Sequence, residues 1–191
     1  MTRIAIVVGS TRPSRRGAAV AQWVLENARH DGVTFELVDL AELALPLLDE
    51  AVPAKFGEYQ NAHTKEWAGT VAAYDGFVFV TPEYNHSAPA ALKNAIDYLY
   101  AEWVDKAAGF VGYGTHGAQR AVEHLRLTLG EVNVAVVASQ VALSVYTDWQ
   151  IEDPREPGDF VPAAHHLEQL HETVGEVVRW ARALQPLRLA A

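Results

Sequence analysis

The chain has 191 residues, 50% of them hydrophobic and 20% charged, a balance that fits one globular domain spanning 1–191 and argues against a disordered or fibrous chain. Asp and Glu outnumber Lys and Arg by 24 to 15, a formal net charge of -9, which disfavours non-specific nucleic-acid binding. The lack of any cysteine excludes disulfides, thiolate metal sites and a cysteine nucleophile and is compatible with a cytoplasmic setting. No apolar run approaches the roughly 20 residues of a membrane span.

The pattern alternates from the start. RIAIVVG, 3–9, is a short β-branched run of the kind expected for a strand covered on both faces. The MTRIAIVVGS start leads straight into a glycine turn, so it reads as this strand and not as a targeting peptide. A helix follows over 18–29, with Val20, Trp23, Val24 and Ala28 on one face. TFELVDL, 34–40, is a second strand, and 41–56 is interrupted by prolines. A helix near 59–74 precedes a third strand, GFVFVTP. Beyond it come a helix from Pro89 to about Tyr100, a strand at 109–114, a helix at 118–129, a strand at 133–139 and a closing helix from Ala163 to Leu184. The polar segment YTDWQIEDPREPGDF reads as an irregular surface excursion.

Strands that alternate with helices imply a parallel sheet, because parallel neighbours need crossover connections. Five strands in this length predict an α/β fold: a flavodoxin-like, doubly wound sheet of order 2-1-3-4-5 with helices on both faces. Ligands of such sheets bind outside the strands' carboxyl ends, at the switch between the first and third strands.

Two loops meet there. GSTRPSRRG, 9–17, offers the hydroxyls of Ser10, Thr11 and Ser14, the cationic fork of Arg12 and the free amides of the helix that begins near Gly17. Together these favour an anion over the plainer reading of capped helix and solvated arginines. Neither G-x-x-x-x-G-K-[ST] nor G-x-G-x-x-G occurs, so a monophosphate such as that of FMN fits better than a triphosphate or a dinucleotide. Asp39, at the end of the second strand, is then a capping or structural residue. The second loop places Glu83, Tyr84, Asn85 and His86 just after Pro82.

These two loops, with GYGTHGAQRAVEHLR after the fourth strand, resemble the NADPH-dependent FMN reductase family over Arg3 to about Leu143. P-E-Y-N followed by L-K-N-A-I-D carries most of the likeness. The resemblance implies that Ser10, Arg12, Ser14, Arg15, Arg16 and Gly17 surround the FMN phosphate. It further implies that Pro82, Glu83, Tyr84 and Asn85 wrap the isoalloxazine and ribityl region, and that Tyr113, Gly114, Thr115, His116 and Gly117 approach the ring. The family's usual S-x-G-x-x-G-G is replaced here by the shorter YGTHGAQ.

The implied activity is NADPH- or NADH-dependent reduction of FMN and then of a flavin, a quinone or a similar small acceptor, in a homodimer or homotetramer. Hydride transfer of this kind needs no protein nucleophile, so no catalytic side chain and no metal is expected. Glu83 is read as structural, tying down its own loop or reaching a neighbouring subunit. Arg15 and Arg16 have two further readings, the 2′-phosphate of NADPH and plain solvation. His86 and His116 face the same cleft, where proton donation to a quinone is also open. Tyr98, Tyr100 and Trp103 fit either a subunit interface or the core. His165, His166 and His171 read as a solvated helix face. The competing function is a flavodoxin-like FMN carrier that passes electrons between proteins without nicotinamide turnover; the Arg12 cation counts against it, because such carriers have neutral, hydroxyl-rich phosphate loops.

Overall fold

The computed structural model describes residues 1–190. Its main sheet has five parallel strands in the order β2-β1-β3-β4-β5: β1 (Thr2–Val8), β2 (Val33–Asp39), β3 (Gly76–Pro82), β4 (Ala107–Gly114) and β5 (Ala135–Ser144). The crossovers carry α1 (Gly17–Asn27), the short α2 (Leu40–Leu43), α3 (Ala62–Ala72), α4 (Ala90–Asp97) and α5 (Gln119–Glu131), and the chain closes with α6 (His165–Ala190). The predicted order therefore holds, with β1 and β3 paired as neighbours at the switch.

Alternation along the buried strands divides the interior in two. Phe77 and Phe79 of β3 join Phe110, Trp67 and Trp103 on one face, where Phe77 lies 5.0 Å from Trp103 between ring centroids. Val78 and Val80 point the other way, to Val20, Val24 and Val177 of α1 and α6. Tyr98 and Trp103 are fully buried in the aromatic half, so their spacing reflects core packing. The Tyr98 hydroxyl reaches Pro46 O at 3.1 Å and Asp49 Oδ1 at 3.0 Å, which fastens the proline-interrupted stretch to α4.

Three expectations are corrected. β5 runs on to Ser144 because Ser139 and Gln140 sit in a half-covered edge strand, where polar side chains reach water. Its pairing with β4 shifts between Ala108 and Phe110, and Arg126 of α5 donates to the carbonyls of Val137 and Ala138 in the displaced stretch. The supposed irregular excursion contains a two-stranded antiparallel hairpin, β6 (Trp149–Gln150) and β7 (Asp159–Phe160). Finally, His166 is not solvated: only 5% of it is exposed, because its Nε2 lies 3.0 Å from the buried carboxylate of Asp148.

Lys106, at the opposite end of the sheet from the loops described above, is 4% exposed. It donates from Nζ to Val71 O at 2.6 Å, near the end of α3. Burial, reinforced by the Arg188 cation, lowers its pKa from 10.5 to about 8. The unfolded chain therefore holds more protons than the folded one above that value, and stability should rise between about pH 8 and pH 10.5. Urea titrations across that window should show the rise in the wild type and a flatter profile in Lys106→Met.

Candidate active site

The three loops at the carboxyl ends of β1, β3 and β4 enclose a cleft of ≈ 180 Å³, into which Arg12, Arg16, Tyr84, Tyr113 and Thr115 project. Pro82, Glu83, Gly114 and Val145 complete its lining. The first wall grows out of β1, where the Gly9 amide donates to Val80 O at 2.9 Å and brings the loop against β3. Ser14 takes a left-handed φ of 55° to turn the chain into α1. That helix begins with neither a side-chain cap nor an acidic residue in its first turn, so its leading amides and positive dipole end remain available to an anion.

The polar groups of this loop are already ordered. Ser10 is fully buried; its Oγ lies 2.8 Å from Tyr84 Oη and 3.4 Å from the Arg12 amide that it accepts from. It thus ties the β1 loop to the β3 loop. Arg15 forms an ion pair with Asp39, while Asp39 also accepts from the Ala41 amide at 2.9 Å and caps α2. The Arg15 Nε is buried with no hydrogen-bond partner, a donor of the type that a bound anion would satisfy. Arg16 lines the cleft, yet its guanidinium donates to Pro157 O at 2.6 Å and Glu156 O at 2.9 Å. Arg12 is exposed. Gly17 fits beneath the Tyr113 ring, where a Cβ would come within 2.5 Å of the hydroxyl.

The second wall is a two-residue hairpin turn. Tyr84 N donates to Ser87 O at 2.9 Å and Ser87 N to Tyr84 O at 3.1 Å. Between them Asn85 and His86 have φ of 50° and 70°, the two positive values of a type I′ turn. Asn tolerates this region better than most residues, which gives Asn85 a backbone reason for its place. The amides of Asn85 and His86 stand outside the paired bonds.

Glu83 closes the neighbouring helix. Its carboxylate accepts from the amides of Arg120 at 3.1 Å and Ala121 at 3.4 Å, in the first turn of α5, and pairs with the Arg120 guanidinium. Burial would raise its pKa, but the Arg120 hydrogen bond and these amides outweigh it and hold the carboxyl below its ordinary range. Arg120 also donates to His86 Nε2 at 2.9 Å.

The third wall, after β4, turns through Gly114, Gly117 and Ala118 at φ of 147°, 64° and 54°. Tyr113 is almost buried, and burial together with the nearby Tyr84 raises its pKa. It presents a neutral ring edge to the cleft. His116 and Gly117 face a separate hollow of ≈ 450 Å³ shared with Arg120, Ala142 and Ser144. Among the predicted residues the structure therefore gathers Arg12, Arg16, Pro82, Glu83, Tyr84, Tyr113, Gly114 and Thr115, and sets Ser10, Arg15, Asn85 and His116 behind or beside them. Sequence reasoning missed Val145 and Arg120. Only the length of β5 and the partner of Glu83 pointed to them, and neither is local.

Known proteins resemble this chain in sequence and in fold. The profile described as NADPH-dependent FMN reductase matches residues 2–148. An NAD(P)H-dependent FMN reductase of Schizosaccharomyces pombe is 36% identical over 177 residues, covering 91% of this chain and 88% of that protein. A 2-hydroxy-1,4-benzoquinone reductase of a Burkholderia species is 34% identical over 131 residues, covering 65% of this chain and 68% of the other. The flavoenzyme NAD(P)H:(acceptor) oxidoreductase of Paracoccus denitrificans superposes with a TM-score of 0.71 at 24% identity, over 96% of this chain and 98% of that one, which is a likeness of fold. With its matched region running from the first strand to the loop after the fifth, the chain belongs to the NADPH-dependent FMN reductase family.

Proposed function

We propose that residues 1–191 act as one FMN-binding domain that oxidises NADPH or NADH and reduces a small quinone-like or flavin acceptor. The observation that carries this reading is the convergence, at the β1/β3 switch, of an uncapped helix start, the exposed Arg12 and the partnerless Arg15 Nε beside a cleft walled by Tyr84 and Tyr113. The donor set suits a monophosphate, and a flat apolar ring suits the aromatic walls.

Arg12 and the leading amides of α1 hold the phosphate in this reading, with Ser14 and Gly17 shaping the loop around it. Pro82 and Tyr84 bound the ring, and the free amides of Asn85 and His86 supply donors for its polar edge. Gly114 and Thr115 close the third side. FMN held there would supply the redox chemistry: hydride acceptance at N5 from the nicotinamide and electron delivery to the acceptor, in a ping-pong order. The chain's own part is to bind, to orient and to keep one face open, and no side chain serves as nucleophile. A quinone acceptor draws support from the benzoquinone reductase activity of the Burkholderia relative. A cytoplasmic location and a homodimer or homotetramer belong to the same reading.

The test is spectroscopic. Purified protein given FMN should show bound-flavin absorption that NADPH bleaches without oxygen, and aerobic NADPH oxidation should accelerate with menadione. Bound flavin with no nicotinamide turnover would favour the electron-carrier alternative. Arg12→Ala should weaken FMN binding by roughly 1.5–3 kcal/mol, the worth of a charge-assisted hydrogen bond, as read by flavin-fluorescence titration. An unchanged Kd would remove Arg12 from the site.

A further inference from the structure

We infer that Arg16 is a positioning residue: it pins the segment between β6 and β7, residues 151–158, against the phosphate end of the cleft. Its cation holds a piece of the protein's own backbone in place.

The hairpin is well seated at its base. Trp149 is 7% exposed, and its ring centroid lies 4.7 Å from Phe160 and 6.3 Å from Tyr113. Phe160 in turn meets Trp23 of α1 edge-on at 5.9 Å. Ile151 still packs against the core, but the tip beyond it has no such seat. Arg155 reaches only Asp153, through its amide at 2.9 Å and its guanidinium at 2.6 Å, and the Glu156 amide donates to Asp153 O at 3.0 Å. These bonds fold the tip onto itself. Among the described residues, its hydrogen bonds to the rest of the protein are the two from Arg16, to Pro157 O and Glu156 O.

The guanidinium geometry explains why arginine stands here. Nε and Nη2 lie on one edge of a planar fork and meet two successive carbonyls at once. A lysine ammonium is a single point and keeps the charge without the fork. Arg16 also occupies the position just before the first turn of α1 and lines the cleft. The same residue therefore joins the helix start to the tip, and a released tip would free the Arg16 side chain that lines that side of the cleft. Two carbonyls already take the Nε–Nη2 edge of its donor fork, so the phosphate falls to Arg12 and the helix amides.

Two variants test the inference. In the flavin-free full chain, amide hydrogen exchange at Arg155 and Glu156 should speed up by roughly tenfold in Arg16→Ala, as expected for a lost charge-assisted hydrogen bond. Arg16→Lys should behave the same way, while exchange in β1 stays at the wild-type rate and reports an intact fold. Wild-type exchange at the tip in Arg16→Ala, or in Arg16→Lys alone, would overturn the pin. The consequence for the cleft rests on the FMN reading and is measured separately, as FMN release followed by flavin fluorescence. Release should be roughly tenfold faster in both variants, whereas faster release in Arg16→Ala with wild-type release in Arg16→Lys would make Arg16 a phosphate charge partner instead. Absence of FMN binding in the wild type would sink the function reading and leave the exchange result standing.

Discussion

Asp148→Ala should lower stability by roughly 3–5 kcal/mol, the cost of removing one partner from a buried charged network. For a chain of this length the melting temperature should drop by about 6–20 °C. The carboxylate is 1% exposed and accepts four hydrogen bonds: from Ser144 N at 2.8 Å, Thr147 Oγ1 at 3.0 Å, Ala163 N at 3.2 Å and His166 Nε2 at 3.0 Å. These donors come from the end of β5, the following turn, the segment before α6 and α6 itself. Alanine would leave all four donors without this acceptor, the buried His166 among them. Burial alone would raise the Asp148 pKa, but the Ser144 and Ala163 amides, the Thr147 hydroxyl and His166 together hold it below the ordinary value. The group therefore contributes stability that is present above the unfolded carboxyl pKa of about 3.9 and is lost as pH falls through the lower folded value. Acid titrations followed by circular dichroism should show a shallower loss of stability in Asp148→Asn than in the wild type, from a lower starting point. Equal acid slopes would remove Asp148 as a source of acid sensitivity.

Gly112→Ala should damage the cleft directly. A Cβ at Gly112 would lie 2.3 Å from Gly117 O, a backbone atom that cannot move without carrying the loop after β4. Gly117 has no room to retreat, because its own Cβ position is 2.7 Å from Ala142 Cβ on β5. The overpacking should cost roughly 1–3 kcal/mol and displace Gly114 and Thr115. Flavin affinity should fall by about tenfold or more if these residues wall the cleft. Gly130→Ala provides the contrast, since nothing lies within 4 Å of that Cβ position in α5, and alanine there should stabilise by up to about 1 kcal/mol. Calorimetry and flavin titration on both variants separate local crowding from a general intolerance of alanine.

The fold was legible because its signals repeat within short windows. Runs such as GFVFV change period against AAVAQWVLENAR, and an apolar strand between two helices has few places to go but a parallel sheet. Loop positions were legible for the same reason, since they follow from where strands end. What the loop residues do was less so. Glu83 meets Arg120, 37 positions later, and Arg16 meets Pro157, 141 positions later. Neither pairing leaves a mark in local composition. Asn85 and His86 form a turn usually signalled by Asn-Gly, so the sequence lacked its usual cue. His166 looked solvated because the spacings of His165, His166 and His171 do not place three imidazoles on one helix face, yet its own phase on α6 directs it to Asp148.

Glu83 has one more consequence. A carboxylate that leaves β3 ends up closing the first turn of α5, and the arginine it holds there reaches back to His86 on the β3 loop. The β3 and β4 sides of the cleft therefore form a single mechanical part with one shared free energy of opening. An acceptor too large for the closed cleft cannot be admitted by yielding at one wall. It meets an aperture that widens as a unit or stays shut.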